Sequence, residues 1–145
     1  MTVELAGRLS AWMDRFAKLR DFGWHSFAGL DRAGLGRRGE RIAERYLRRR
    51  GYVILERNFR GAGAEIDLVA MDSGTLAFVE VKTRRTTLYG EPQEAVSAQK
   101  QRHLRRAAEV FAARHRMHDA PMRFDVVAIT EDDQGRRLEL LKDAF

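Results

Sequence analysis

Apolar positions recur along this chain with two different periods. Leu35, Ile42, Ala43, Tyr46 and Leu47 are spaced by threes and fours over residues 33–50 and predict a helix. Gly51 follows three arginines, a natural stop at the negative end of a helix dipole. A longer helical pattern runs from Pro92 to Arg116, its stripe supplied by Ala95, Val96, Leu104, Ala107, Ala108, Val110, Phe111 and Ala112. Between the two helices the period falls to two. Tyr52–Asn58 alternates around Val53 and Leu55, Arg60–Gly63 reads as a flexible connection, and Glu65–Ala70 and Leu76–Lys82 follow as strands. Met122–Thr130 and Arg137–Leu141 give two closing strands joined by residues 131–135. The order of elements predicts an α/β domain over residues 33–145.

Two of these strands carry more acid than their apolar character favours. In Leu76–Lys82 the even positions share one face, so Glu80 and Lys82 are neighbours, while Ala77, Val79 and Val81 enter the other. Glu65 and Asp67 are expected to share a face opposite Ile66 and Leu68. Asp72-Ser73-Gly74-Thr75 between the runs is turn chemistry, so the strands read as a hairpin that brings Asp67 toward Glu80. Two carboxylates so placed repel unless a cation sits between them, and Mg²⁺ takes oxygens from one or two carboxylates plus water and phosphate. Lys82 is then placed to activate water or to stabilise charge on a phosphate. The competing reading is a surface Glu80–Lys82 pair on an exposed sheet face. The residues alone leave the two in balance.

The spacing Asp67 … Glu80-Val81-Lys82 resembles the PD-(D/E)XK nuclease superfamily. The wider string resembles its YraN-like family: Gly36-Arg37-Arg38-Gly39-Glu40 through Leu47, Gly51–Leu55, Glu65–Ala70 and Phe78–Lys82. The likeness continues through Glu94-Ala95-Val96, Lys100 and Arg123-Phe124-Asp125-Val126 to Ala144-Phe145, covering the chain from about Gly34 onward. Members of that family are assigned as endonucleases of undetermined substrate, similar to archaeal Holliday-junction resolvases in the placement of their acids. The resemblance implies a restriction-endonuclease-like core, a central mixed β-sheet flanked by helices.

Carried over residue by residue, it makes Asp67 and Glu80 metal-binding acids, Val81 a backbone-carbonyl ligand, Lys82 the catalytic lysine and Glu40 the helix acid completing the site. The cofactor it implies is Mg²⁺ or Mn²⁺. Ile66 stands where the superfamily has proline, and Ala64 where relatives often have glycine; neither change removes a ligand. Read without the resemblance, Glu40 is better explained as an exposed acid pairing with Arg37 or Arg41 on its own helix.

The chain of 145 residues carries 27 basic against 21 acidic residues, a net charge of +6 that favours a polyanionic partner. Arg84 and Arg85, in a polar loop leaving Lys82, and Lys100, Arg102 and Arg105 on the second helix are the expected phosphate contacts to DNA, with Tyr89 a candidate for base stacking. There is no cysteine, which excludes disulfides, thiolate zinc sites and cysteine nucleophiles. No apolar run approaches the ~20 residues that span a bilayer, and the amino end lacks a secretory pattern; a cytoplasmic protein without membrane contact is expected.

Residues 1–32 lie outside the resemblance and read as an extra amphipathic helix. Leu5, Leu9, Trp12, Phe16 and Leu19 form a narrow apolar seam, to be buried either against the domain itself or in a homodimer. The leading functional expectation is a metal-dependent endonuclease acting on DNA, branched or otherwise structured DNA included. The alternative is a catalytically silent nucleic-acid-binding or protein-interaction module on a nuclease fold.

Overall fold

The computed structural model describes residues 29–85 and 96–145. The Trp12–Phe16 seam, Tyr89 and the first part of the long helical pattern lie outside those residues. Helix α1 spans Arg32–Arg49 and begins at Asp31, whose carboxylate accepts from the Gly34 N–H at 2.7 Å and satisfies one of the free amides of the first turn. Strands β1 (Val53–Gly61), β2 (Ala64–Asp72) and β3 (Thr75–Arg84) follow as a meander. Helix α2 (Ala98–Arg114), capped by Ser97, crosses over to β4 (Met122–Asp132), which turns back into β5 (Gly135–Leu141).

The sheet has the order β1-β2-β3-β4-β5. Every pairing is antiparallel except β3 with β4, because only that connection carries a helix. One face packs on α1 through Ile42, Ala43, Tyr46 and Leu47 against Leu68, Ala70, Ala77, Val79, Val127 and Ile129. The other packs on α2 through Leu104, Ala107, Ala108 and Phe111 against Phe59, Ile66, Val69, Leu76, Phe78 and Phe124. Strand β3 is therefore covered on both faces, which is why Leu76–Val79 reads as an unbroken apolar run. A five-stranded mixed sheet flanked by helices is the restriction-endonuclease-like arrangement that the resemblance implied.

The structure departs from the sequence reading in four places. Arg60 and Gly61 pair with Glu65 and Ala64, so the expected flexible connection is strand, and only Ala62-Gly63 turns the chain. Gly61 is buried against Phe59 and Val110. Residues 131–135 shrink to a two-residue turn between β4 and β5, paired as far as Asp132 with Gly135. The second helix, as described, starts at Ala98 and stops at Arg114. Most consequential, Ile66 packs with Phe59 on the α2 side while Leu68 packs on the α1 side, so strict alternation breaks at Asp67. The neighbouring strand breaks with it: Asn58 adopts a left-handed backbone at φ 49°, which asparagine tolerates better than most residues.

Candidate active site

The β2–β3 hairpin is tied by a two-residue turn, Ser73 and Gly74, both at positive φ as hairpins of that length require. Its ladder runs from Asp72 opposite Thr75 to Leu68 opposite Val79. In the same register the next pair is Asp67 and Glu80. There the Val81 N–H donates to the Asp67 carboxylate at 2.7 Å. A side chain thus serves as the acceptor where the described strand pairing ends.

Glu80 follows Phe78 on the α2 face and is only 6% exposed, one of two buried charged residues among those described. Its Oε1 receives the Lys82 ammonium at 3.4 Å and the Lys100 ammonium in direct contact. Lys100 stands in the first turn of α2, so the amino end of that helix, where partial positive charge favours anions, faces the site. Burial works against the Lys100 charge, yet its hydrogen bond to the Glu80 carboxylate and the charges of Glu80 and Asp67 outweigh it and raise its pKa.

Glu40 arrives from the opposite face of the sheet. Helix α1 can approach β3 this closely because residue 39 is glycine: a Cβ there would stand 2.0 Å from Thr83 Oγ1. The Asn58 amide donates to Glu40 Oε2 at 3.0 Å and to Glu65 Oε1 at 3.4 Å, so the left-handed residue of β1 is what holds Glu40. The hydrogen bond to Asn58 is one that pairing with Arg37 or Arg41 would not have supplied. Asn58 was not singled out from sequence, although an asparagine inside a strand pattern is the available sign of such a backbone.

These groups meet at Asp67. Its carboxyl is pushed up to about 7, first by burial, then by the charge of Glu80 and, more weakly, of Glu40, with the Val81 N–H and Lys100 pulling the other way. Among the described residues no three His, Asp or Glu groups form a closed ion cage. The donor set is instead two carboxylates at an acid-rich, desolvated spot, which fits a hard divalent cation that keeps positions for water and phosphate.

The expected phosphate contacts are placed differently from one another. Lys100 is turned into the site. Arg85 donates to the Leu30 carbonyl and so ties β3 to the entry of α1. Arg105 lies over the Phe124 and Phe145 rings, at 5.1 and 5.8 Å from their centroids. Arg102 is exposed on α2, and Arg84 is half-buried at the end of β3. No helix among the described residues is long and apolar enough to cross a membrane.

Comparison with known proteins gives a family. The model of the uncharacterised protein family UPF0102 matches residues 39–129, a span that includes Glu40, Asp67, Glu80, Lys82 and Lys100. A UPF0102 protein of Geobacter metallireducens is 49% identical over 116 residues, 80% of this chain and 95% of that protein. Its counterpart in Pelobacter propionicus is 49% identical over 123 residues, 83% of this chain and 88% of the relative. One from Caldicellulosiruptor saccharolyticus is 42% identical over 118 residues, 80% of this chain and all of the relative.

Proposed function

This chain belongs to the uncharacterised protein family UPF0102, and from its site we propose that it is a cytoplasmic, metal-dependent endonuclease that hydrolyses phosphodiester bonds in DNA, branched or otherwise structured DNA included. The observation that carries this reading is the convergence of Asp67, Glu80 and Glu40, from two strands and a helix, with two lysines at Glu80. Excess negative charge in a desolvated place, raising a carboxyl to about 7, is a cost that a binding fold has no need to carry.

Asp67 and Glu80, with the Val81 carbonyl, are the residues that would hold Mg²⁺ or Mn²⁺; when bound, such an ion supplies charge to the phosphate and acidity to a water. Lys82 places its ammonium beside Glu80, where it can donate to a phosphate oxygen as charge grows there. Lys100, now on Glu80, is free to turn to a phosphate once that carboxylate has another partner. Glu40, oriented by Asn58, is an acceptor for a proton leaving the site. Arg84 and Arg102 extend the grip to neighbouring phosphates, with Arg85 and Arg105 beside them.

The test is cleavage of labelled duplex, single-stranded, flap and four-way-junction DNA by the purified protein in Mg²⁺ or Mn²⁺. Cleavage lost in both Asp67→Ala and Glu80→Ala, and lowered about 10²-fold in Lys82→Ala, supports the assignment. Equal cleavage by wild type and Glu80→Ala would mark a contaminant and sink it. Tight DNA binding with no cleavage in either metal would assign a silent binding module.

A further inference from the structure

Helix α1 brings Glu40 to the site on one side and presents an unbalanced row of charge on the other. Its span Arg32–Arg49 contains seven arginines and two glutamates. Both acids are engaged: Glu40 accepts from Asn58, and Glu44 accepts from Arg57 at 2.6 and 2.7 Å and from Arg48 at 2.9 Å. At about 100° per residue, Arg37, Arg38, Arg41, Arg45, Arg48 and Arg49 fall within an arc of about 120°. That arc lies opposite the buried Ile42, Ala43, Tyr46 and Leu47.

Ordinary solvation accounts poorly for this row. Arg37 with Arg41 and Arg41 with Arg45 are like charges one turn apart, an arrangement that destabilises a helix. Asp31 at the N-cap is committed to the Gly34 amide, and no further acid stands in the first turn to offset the row. A helix that keeps two such repulsive contacts gains from them when an anion arrives from outside.

We infer that the outer face of α1 is a docking surface for duplex nucleic acid leading away from the site, a reading that rests on the nuclease assignment and specifies its substrate class. The row from Arg37 to Arg49 is straight and about 18 Å long, with steps of about 6 Å between charges one turn apart. Single strands are held in grooves that offer aromatic platforms to bases. Among the described residues of α1 the one aromatic, Tyr46, is buried, and the Arg50 guanidinium lies 3.7 Å above its ring centre. Such a surface offers charge to backbone phosphates and no platform to bases, which suits a duplex with its phosphates turned outward. With Arg102 exposed on α2, on the opposite side of the sheet, nucleic acid can extend from the site over either helix, as an intact duplex or a branched junction would.

The experiment measures binding in EDTA, so that a protein that cleaves nothing is still informative. Affinities for a 30-base-pair duplex, a 30-nucleotide single strand and phosphatidylglycerol-containing vesicles are compared across a salt series. The variants are Arg37→Gln/Arg41→Gln/Arg45→Gln and the corresponding triple lysine chain, each checked for folding by circular dichroism. On the duplex the glutamine variant should flatten the slope of log affinity against log salt by about 0.9 per lost phosphate contact, up to about 3 in all. The lysine variant should keep the wild-type slope. An unchanged duplex slope, no duplex binding by the wild type, a loss confined to the single strand, or a loss confined to vesicles would each overturn the inference.

Discussion

Strand β2 carries an aspartate at each end of a five-residue interval, and the two are treated in opposite ways. Asp72 receives Arg123 and the Lys142 ammonium, each at 2.7 Å; burial alone would raise its pKa, but those two cations outweigh it and hold the carboxyl below its ordinary value. Asp67, about 17 Å along the strand, is part-buried beside Glu80 and Glu40 and is pushed up to about 7. Arg123 also grips Asp125, fully buried, through two hydrogen bonds of 2.8 and 2.9 Å. The Tyr52 hydroxyl and the Asp143 N–H complete that cluster. One cluster is balanced from within and clasps the chain's end to the sheet. The other is left acid-rich, an imbalance that the proposed cation would neutralise.

Breaking the balanced cluster should produce the largest effect. Arg123→Met leaves the Asp125 carboxylate buried without its main partner, a loss of about 3–5 kcal/mol. Urea unfolding measures it directly. A loss under about 1 kcal/mol would mean that Tyr52 and the Asp143 amide hold Asp125 unaided, and that the cluster is no clasp.

The acid-rich end should respond with the opposite sign. A carboxyl whose pKa is raised on folding is bound to its proton more tightly in the folded than in the unfolded chain. Its penalty is absent below about pH 4, grows as pH rises from there to about 7, and is complete above. Asp67→Asn removes the penalty and keeps an acceptor for the Val81 N–H, so it should stabilise the protein at pH 8 by on the order of 2 kcal/mol. That is less than the ~4 kcal/mol a three-unit shift alone would give, because the asparagine NH₂ must itself be satisfied in the same desolvated place. At pH 5 most of the gain should vanish. Thermal melting at the two pH values in EDTA, with Mn²⁺ calorimetry alongside, distinguishes the outcomes: a variant less stable than wild type at pH 8, or one that still binds Mn²⁺ as well, would end the claim that charge imbalance there serves a cation.

How much of this the sequence disclosed follows the range of each interaction. The β2–β3 hairpin was legible because its turn, its period and its two acids lie within 16 residues from Glu65 to Glu80. Lys82 followed from alternation along its own strand, whereas Glu40 and Lys100 were linked to the strand acids only through resemblance, since a helix residue does not reveal from its own neighbours which strand end it will meet. Asp125 was seen as part of a familiar string but given no role: its partner Tyr52 is 73 positions away. The shift of alternation at Asp67 escaped because period two is an average over a strand, and the left-handed Asn58 that accompanies the shift sits on the strand next door.

Gly39 is the smallest of these hidden devices and the link between the two sides of the sheet. An alanine there sets its Cβ 2.0 Å from Thr83 Oγ1 and 3.2 Å from Thr83 Cβ, so α1 must move outward or Thr83 must turn. Overpacking of this kind costs about 1–3 kcal/mol. Alanine in a helix interior recovers about 0.5–1 kcal/mol against glycine. The net loss for Gly39→Ala should therefore be about 1 kcal/mol. The sharper measurement is the titration of Asp67 by carbon NMR. If close approach of α1 is what brings the Glu40 charge to the site, Gly39→Ala should lower the Asp67 midpoint from about 7 by a small step, since Glu40 adds less than burial and Glu80. Adding Thr83→Ala removes Oγ1, so the double variant should return both the stability and the midpoint toward wild type. A midpoint that stays in place while stability falls would show that Gly39 serves packing alone and that Asp67 owes its shift to burial and Glu80.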